Sequence, residues 1–342
     1  MKAFAMKVLF DHPNPFMLAH GGFQLQIEQT KRALEGIGVE VEWLKWWDST
    51  QTGEVIHYFG RPSSAYIDFA HQKGLKVVMS ELLTGLGSRS AIHRRLQKSL
   101  MRLSQKLLPG AFTAKLAWDS YQKADAIVAL TPWEKQLMVE MFNAPPERVH
   151  VIPNGVEEVF FRSSISHLPS LRADYLVCTS TITERKRVLE LAEAAILAQT
   201  PLWIIGTPYA ETVPYYLRFL EVVKKSGGVI RYEGGISDRQ RLAEIYRSAR
   251  GFVLLSTMES LSISALEATA SGCPLLLSDL PWARSTFGNS SEYCPSASKK
   301  QTARLIAAFY RNCPNIVNTG LITSWTDVGR LLEKVYSLCI KG

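Results

Sequence analysis

The 342-residue sequence predicts an α/β protein made of two Rossmann-like halves that face a common cleft. Three observations lead there. Short apolar runs rich in β-branched residues alternate with helix-length amphipathic segments, the pattern of parallel sheets with crossover helices. The alternation is interrupted by a polar run, RSSISHLPSLRAD (Arg162 to Asp174), and then restarts. The length also exceeds what one hydrophobic core usually organises. The expected division is an N-terminal half over 1–165, a second half over 166–320 and a terminal helix over 321–342.

In order, KVLF (Lys7 to Phe10) is the first strand, with Gly21 and Gly22 in the loop behind it. FQLQIEQTKRALEGIG follows as a helix stopped by Gly36 or Gly38. VEVEWL, EVIHYFG, KVVMSEL, AIVAL and VHVIPNG supply further strands, with helices between them. The second half reads YLVCTST, the helix RVLELAEAAILAQ, LWIIG, the helix around VPYYLRFLEVVKKSG, VIRYEG, the helix SDRQRLAEIYRSA, GFVLLS, a helix around Glu267, and PLLLSD. TSWTDVGRLLEKVYSLCI closes the chain as an amphipathic helix with a cap at Ser324 or Thr326.

Composition excludes several classes. With 46% hydrophobic and 20% charged residues the chain is a packed, soluble type rather than a disordered one. Its five cysteines are scattered and make no CxxC or Cys/His spacing, so neither a disulfide framework nor a zinc site is expected, and a reducing cytoplasm suits them. MKAFAMKVLFDHPNPF runs directly into a strand, unlike a signal peptide, and no segment reaches the roughly 18 to 20 apolar residues that cross a bilayer. The net charge of +8 is concentrated: Arg89 to Trp118 holds Arg89, Arg94, Arg95, Lys98, Arg102, Lys106 and Lys115 and no acidic residue. Wound at about 100° per residue, its first part gathers Ile92, Leu96, Leu100, Leu103 and Leu107 in a stripe about 80° wide, with most of the basic residues on the opposite half. Two readings fit: residues 89–108 lie on an anionic membrane surface, or the leucine stripe packs on its own domain. Nucleic acid is not an expected partner, because the basic segment lacks interleaved aromatics and a known module.

Fold alone decides no chemistry. Gly21-Gly22 is no GxGxxG and is followed by no convincing acidic ribose ligand, which disfavours a nicotinamide enzyme; GxxxxGK[ST] is absent, which removes a P-loop hydrolase. The stretch MESLSISALEATASGCPLLLSD is more telling. It sets Glu259 and Glu267 eight residues apart through small and apolar residues. With Glu259 in a loop and Glu267 two turns into the next helix, both point to the carboxyl edge of a sheet, where open α/β folds bind ligands.

That stretch resembles the E-x7-E motif of family-four retaining glycosyltransferases, which have the GT-B architecture of two facing Rossmann-like domains. GGFQLQIEQTKRALEGIGVEVE is similar to the family's glycine-rich first loop and helix, ADAIVALTPWEKQLMVE and ERVHVIPNGVEEVF to the end of its N-terminal domain, and ERKRVLELAEAA to the phosphate-contacting entry of its C-terminal domain. The resemblance implies a UDP-, GDP- or ADP-sugar donor, no metal or other cofactor, and retention of anomeric configuration by a front-face mechanism without a covalent carboxylate. Lys186, with Arg185 or Arg187 beside it, would contact the diphosphate, a role that suits a fixed cation aimed at a leaving group that gains charge. Glu267 would accept from the ribose hydroxyls and Glu259 from those of the transferred sugar. Backbone N–H groups from Ser260, Leu261, Ser262 and Ile263 would hold sugar and phosphate. Gly21 and Gly22 belong to the donor set by the same likeness, and Gly206, Gly235 and Ile236 lie where the base would rest. The terminal helix would cross back to the first domain.

The sequence departs from the family in two places. Thr179 and Ser180 stand where Gly-Arg is common, and Glu81 stands where many members have a histidine. Glu81 either orients sugar or acceptor at the cleft or caps a helix, and His57 reads as an edge or core residue. The expected reaction moves a sugar to a saccharide or lipid-linked acceptor, in bacterial cell-surface polysaccharide or glycolipid synthesis, at the inner face of the plasma membrane. A catalytically silent nucleotide-sugar-binding subunit is the alternative.

Overall fold

The computed structural model describes residues 6–13, 15–16, 21–107, 116–161, 173–295, 298–316 and 322–342. The chain divides into two compact units, Met1–Asn154 with Trp325–Gly342, and Gly155–Ser324. The linker run over 162–172 and both expected boundaries, at 165 and at 320, lie outside the described residues. Residues 155–161 belong to the second unit rather than to the first half. Glu157 bonds Arg239 and the Phe160 ring packs on Tyr246, so the stretch after Asn154 is built into the second core.

The first unit holds β1 (Lys7–Asp11), α1 (Gly22–Gly36), β2 (Glu40–Trp43), β3 (Val55–Phe59), α2 (Ser64–Gln72), β4 (Lys76–Ser80), α3 (Thr84–Gly87), α4 (Ala91–Leu107), α5 (Ser120–Lys123), β5 (Ala126–Ala129), α6 (Pro132–Phe142) and β6 (Val149–Val151). Its six strands are all parallel, in the order β2-β1-β3-β4-β5-β6. The inner strands are apolar on both faces, as a sheet covered on both sides requires: Val55, Val77, Val78, Met79 and Ile127 are completely buried. Gly38 ends α1 at φ +91°, where its N–H reaches the Glu35 carbonyl at 3.0 Å. Thr131 caps α6 by accepting from the Glu134 N–H at 3.1 Å, with Pro132 in the first turn. His57 is a core residue of β3. Its ring nitrogens lie 2.6 Å from Tyr336 Oη and 2.6 Å from Ser80 Oγ, and burial lowers its pKa to about 3, so it is neutral.

The second unit holds β7 (Leu176–Thr179), α7 (Val188–Leu197), β8 (Leu202–Ile205), α8 (Pro214–Lys224), β9 (Ile230–Tyr232), α9 (Arg239–Ser248), β10 (Gly251–Leu254), α10 (Ile263–Ala270), β11 (Leu275–Ser278), α11 (Pro281–Phe287), β12 (Glu292–Cys294) and α12 (Lys299–Asn312). Its parallel order is β12-β11-β10-β7-β8-β9, so the strand order reverses between β7 and β10. The crevice beyond the carboxyl ends of those two strands is the topological switch point, where such sheets bind ligands. α13 (Trp325–Lys341) packs along α1 in the first unit. Gly329 permits the approach, since a Cβ there would stand 2.9 Å from the Ala33 carbonyl oxygen. Among the described residues no helix is long and apolar enough to cross a membrane.

Candidate functional site

Two loops meet at the second unit's switch point, one after β7 and one after β10. The first carries the 3-10 turn Glu184–Lys186, ended by Arg187 in the left-handed region at φ +53°. The second leads through Glu259 into α10, which Ser262 caps by accepting from the Ala265 N–H at 3.3 Å. They are stitched together by the Thr257 N–H donating to the Arg185 carbonyl at 2.8 Å and by Arg185 Nη1 donating to the Met258 carbonyl at 2.9 Å. Across this seam Lys186 Nζ pairs with Glu259 Oε1, and Arg185 Nη1 lies 3.5 Å from Glu259 Oε2. Lys186 and Glu259 keep only 13% and 9% of their side-chain surface. A charge pair so shielded is screened far less than one in open solvent. Ser260, Leu261, Ser262 and Ile263 are all buried, and they lead into the N-terminus of α10, where its positive dipole end lies.

Glu267 sits in the middle of α10 with 4% of its side chain exposed. Arg239 Nη2 pairs with its Oε1, and the Tyr246 hydroxyl donates to its Oε2 at 3.4 Å. Arg239 is itself held by Glu157 Oε1, 2.8 Å from its Nε, and lies over the Phe160 ring at 4.6 Å. Burial raises the Glu267 carboxyl to about 7, against the opposing pull of Arg239. A carboxylate has about four acceptor positions, of which Arg239 and Tyr246 fill two.

Thr179, at the end of β7, hydrogen-bonds the buried Tyr246 hydroxyl, whereas the hydroxyls of Thr183 in the following loop and of Ser256 behind β10 are buried without a hydrogen-bond partner among the described residues. Buried polar atoms are nearly always paired, so two such hydroxyls at one sheet edge are unspent bonding capacity. Gly206 brings the β8 loop against this edge. A Cβ on it would lie 1.8 Å from the Ser180 carbonyl oxygen, and its φ is +151°. The Gly206 N–H donates to the Gly234 carbonyl at 2.9 Å, which joins the loop of Gly206 to the loop carrying Gly235 and Ile236.

Of the expected site residues, the structure therefore brings together Arg185, Lys186, Glu259 and the stretch from Ser260 to Ile263, with Glu267 on the same helix, and it joins the loops of Gly206, Gly235 and Ile236. Gly21, Gly22 and Glu81 belong to the first unit. Gly21 occupies the N-cap of α1 at φ +140°, and Gly22 opens that helix. Glu81, just past β4, is fully engaged. Arg61 Nε donates to its Oε2 at 2.7 Å, Arg61 Nη2 to its Oε1 at 2.8 Å, and the Tyr121 hydroxyl donates to Oε2. The helix-capping role does not apply, because its oxygens go to side chains. Sequence reasoning passed over Arg239, Tyr246 and Glu157. One signal was available: Arg239, Leu242, Ala243 and Tyr246 fall at helical spacing on one face of α9, and the last three are buried. Among the described residues no group of three or more His, Cys, Asp or Glu is arranged to hold a metal ion.

Two family models match the chain, Glycosyltransferase Family 4 over residues 54–159 and Glycosyl transferases group 1 over residues 166–315. Similar curated proteins include a D-inositol 3-phosphate glycosyltransferase of Acidothermus cellulolyticus, 27% identical over 175 residues, which are 46% of this chain and 39% of that protein. A mannosylfructose-phosphate synthase of Agrobacterium fabrum is 26% identical over 174 residues, 46% of this chain and 38% of that protein. The matches thus span about two fifths of those relatives. Among solved structures, HepE of Anabaena in complex with UDP and glucose superposes with a TM-score of 0.67 at 13% identity, over 97% of this chain and 99% of that one. Sucrose-phosphate synthase from Thermosynechococcus elongatus gives 0.68 at 15% identity, over 98% and 99%. At these identities the superpositions establish the two-domain α/β fold.

Proposed function

We propose, for a chain that belongs to the group 1 glycosyltransferases and has their two-domain GT-B fold, that it moves a sugar from a nucleotide-sugar donor to a saccharide or lipid-linked acceptor, with the anomeric configuration kept. The observation that carries this reading is the shielded Lys186–Glu259 pair at the switch point, with the unpaired buried hydroxyls of Thr183 and Ser256 on the same two loops. In this pair the two charges neutralise each other. A donor diphosphate offers Lys186 a stronger, doubly charged partner, and Glu259 is then released to accept from hydroxyls of the transferred sugar. As the anomeric bond breaks, charge gathers on the diphosphate. Lys186, Arg185 and the N-terminal amides of α10 are already aimed at it, which is worth more than a cation recruited from water. Glu267 keeps its remaining acceptor positions for the ribose hydroxyls. No metal ion is needed in this scheme, and no carboxylate serves as a covalent nucleophile.

Support for a nucleotide-sugar donor also comes from HepE of Anabaena, whose structures hold UDP and glucose or UDP-glucose. Glu81 enters as a residue that stiffens the β4 loop through Arg61 and does not touch the sugar. The acceptor is assigned to cell-surface polysaccharide or glycolipid synthesis on the cytoplasmic side of the membrane. The second reading, a silent nucleotide-sugar-binding subunit, has Thr179 and Ser180 in its favour, because they replace the Gly-Arg common in the family. Thermal shift against UDP, GDP and ADP, followed by nucleoside-diphosphate release from the matching sugars, separates the two. Selective stabilisation lost in Lys186→Ala, together with turnover, is expected for the transferase. Stabilisation with no turnover on any acceptor supports the silent subunit, and no stabilisation by any nucleotide defeats both.

A further inference from the structure

α4 is turned the unexpected way. A surface helix normally buries its apolar stripe, yet Ile92, Leu96, Leu100, Leu103 and Leu107 are 77%, 59%, 57%, 53% and 71% exposed. The side that meets the first unit is formed instead by Met101, which is 6% exposed, with Arg94, Gln97, Lys98 and Ser104 half-buried around it. Arg94 is spent in this seam, its guanidinium 4.5 Å over the Trp133 ring. At about 100° per residue the leucine stripe and the Met101 seam are centred on opposite sides of the helix. Arg95 and Arg102, both exposed, lie along one flank of the stripe. Within the basic segment, residues 108–115, Leu108 and Lys115 among them, lie outside the described residues, as does the side chain of Lys106.

Among the described residues the stripe does not pack on its own domain, and the question is what covers it. We infer that α4 is a membrane-docking helix. Its leucine stripe enters the acyl boundary of an anionic bilayer, while Arg95 and Arg102 stay at headgroup level against lipid phosphates. The charge argues for lipid over a second protein. From Arg89 to Trp118 the sequence has seven basic residues and no acidic one, so a copy of the same helix would repel it and an anionic surface would attract it. The apolar surface is displayed where flanking arginines can snorkel, which is the arrangement of an interfacial helix. This inference does not depend on the transferase reading, and its test needs no donor.

The test is flotation of the full chain with vesicles of phosphatidylcholine alone or mixed with phosphatidylglycerol. Binding is expected to the mixed vesicles only, and to weaken at high salt. Leu96→Ser, Leu100→Ser and Leu103→Ser combined should cut the bound fraction by about tenfold or more, and Arg95→Glu with Arg102→Glu should do the same. Because the replaced side chains are exposed, the melting temperature and any nucleotide-induced shift should stay at parent values. Equal flotation of parent and serine variant would overturn the inference, as would a parent that ignores anionic vesicles. Light scattering adds a further exclusion: a parent dimer that becomes a monomer in the serine variant would make the stripe a contact between copies.

Discussion

Each sheet sets a carboxylate beside a cation at its carboxyl edge, and the two edges use the pair in opposite ways. In the first unit Arg61 grips both oxygens of Glu81, donates to the Leu116 carbonyl at 3.1 Å and lies 4.5 Å over the Phe142 ring, which stacks on Tyr121. Both Glu81 oxygens and all three Arg61 nitrogens have partners there. At the second unit's switch point Lys186 and Glu259 are joined at a seam between two loops, with the hydroxyls of Thr183 and Ser256 left over among the described residues. A closed network of this sort fixes a fold, whereas an unfinished one at a switch point awaits a ligand. The same two residue types thus serve scaffold or chemistry according to what the surroundings leave unsatisfied.

The sharpest way to break that contrast is to remove the cation from the unfinished edge. Lys186→Ala is expected to lower kcat/KM for transfer by about 10²–10³-fold, in the range of losing a pre-aimed group that stabilises developing charge. Steady-state nucleoside-diphosphate release measures it, and a loss below about threefold would mean that Lys186 is not the diphosphate contact. Gly206→Ala comes next. With a Cβ driven to 1.8 Å from the Ser180 carbonyl, the β7 and β8 loops must part, and we expect a loss of about 3 kcal/mol in urea unfolding. Glu81→Gln should cost about 1–3 kcal/mol, the penalty of leaving the partly buried Arg61 without a charged partner, while nucleotide-induced stabilisation stays unchanged. Weaker nucleotide binding in that variant would move Glu81 from scaffold to site.

The smallest effect concerns protons. Because burial raises Glu267 to about 7, its ionised fraction grows as pH climbs through neutrality, and nucleotide affinity should grow with it by several-fold. Calorimetry across that range tests this, with Glu267→Gln expected to give a flat, weaker profile. The stability sign runs the other way. The folded protein retains this proton between the ordinary carboxyl value of 4.5 and about 7, so the group favours the folded state less as pH rises across that window.

Most of the scaffold was written in local sequence. The apolar runs from Lys7 to Ser278 predicted eleven of the strands, while β12 was missed, since Glu292–Cys294 is three residues long and too short to show a period. Lys186 and Glu259 were legible because each sits in a recognisable stretch. Their pairing was not, as it spans 73 positions. Arg239 went unseen for a related reason: its partner Glu157 is 82 residues away, and nothing within α9 announces a charge bound for the interior. The outward turn of α4 lay beyond pattern reading too. Periodicity gives the angular width of a stripe but not which neighbour it meets.

The return of α13 to the first unit bears on how the molecule is made. The polypeptide leaves that unit at Asn154 and rejoins it only at Trp325. During synthesis the second unit is contiguous and can close as soon as it emerges, but the first must wait. Until α13 arrives, α1 lacks its lengthwise neighbour and His57 lacks the Tyr336 hydroxyl. The earlier-made unit is therefore the later-finished one, with its sheet complete and one side uncovered while the remaining chain passes through the ribosome. A chain stopped at Ser324 should be cut by protease in the first unit well before the second.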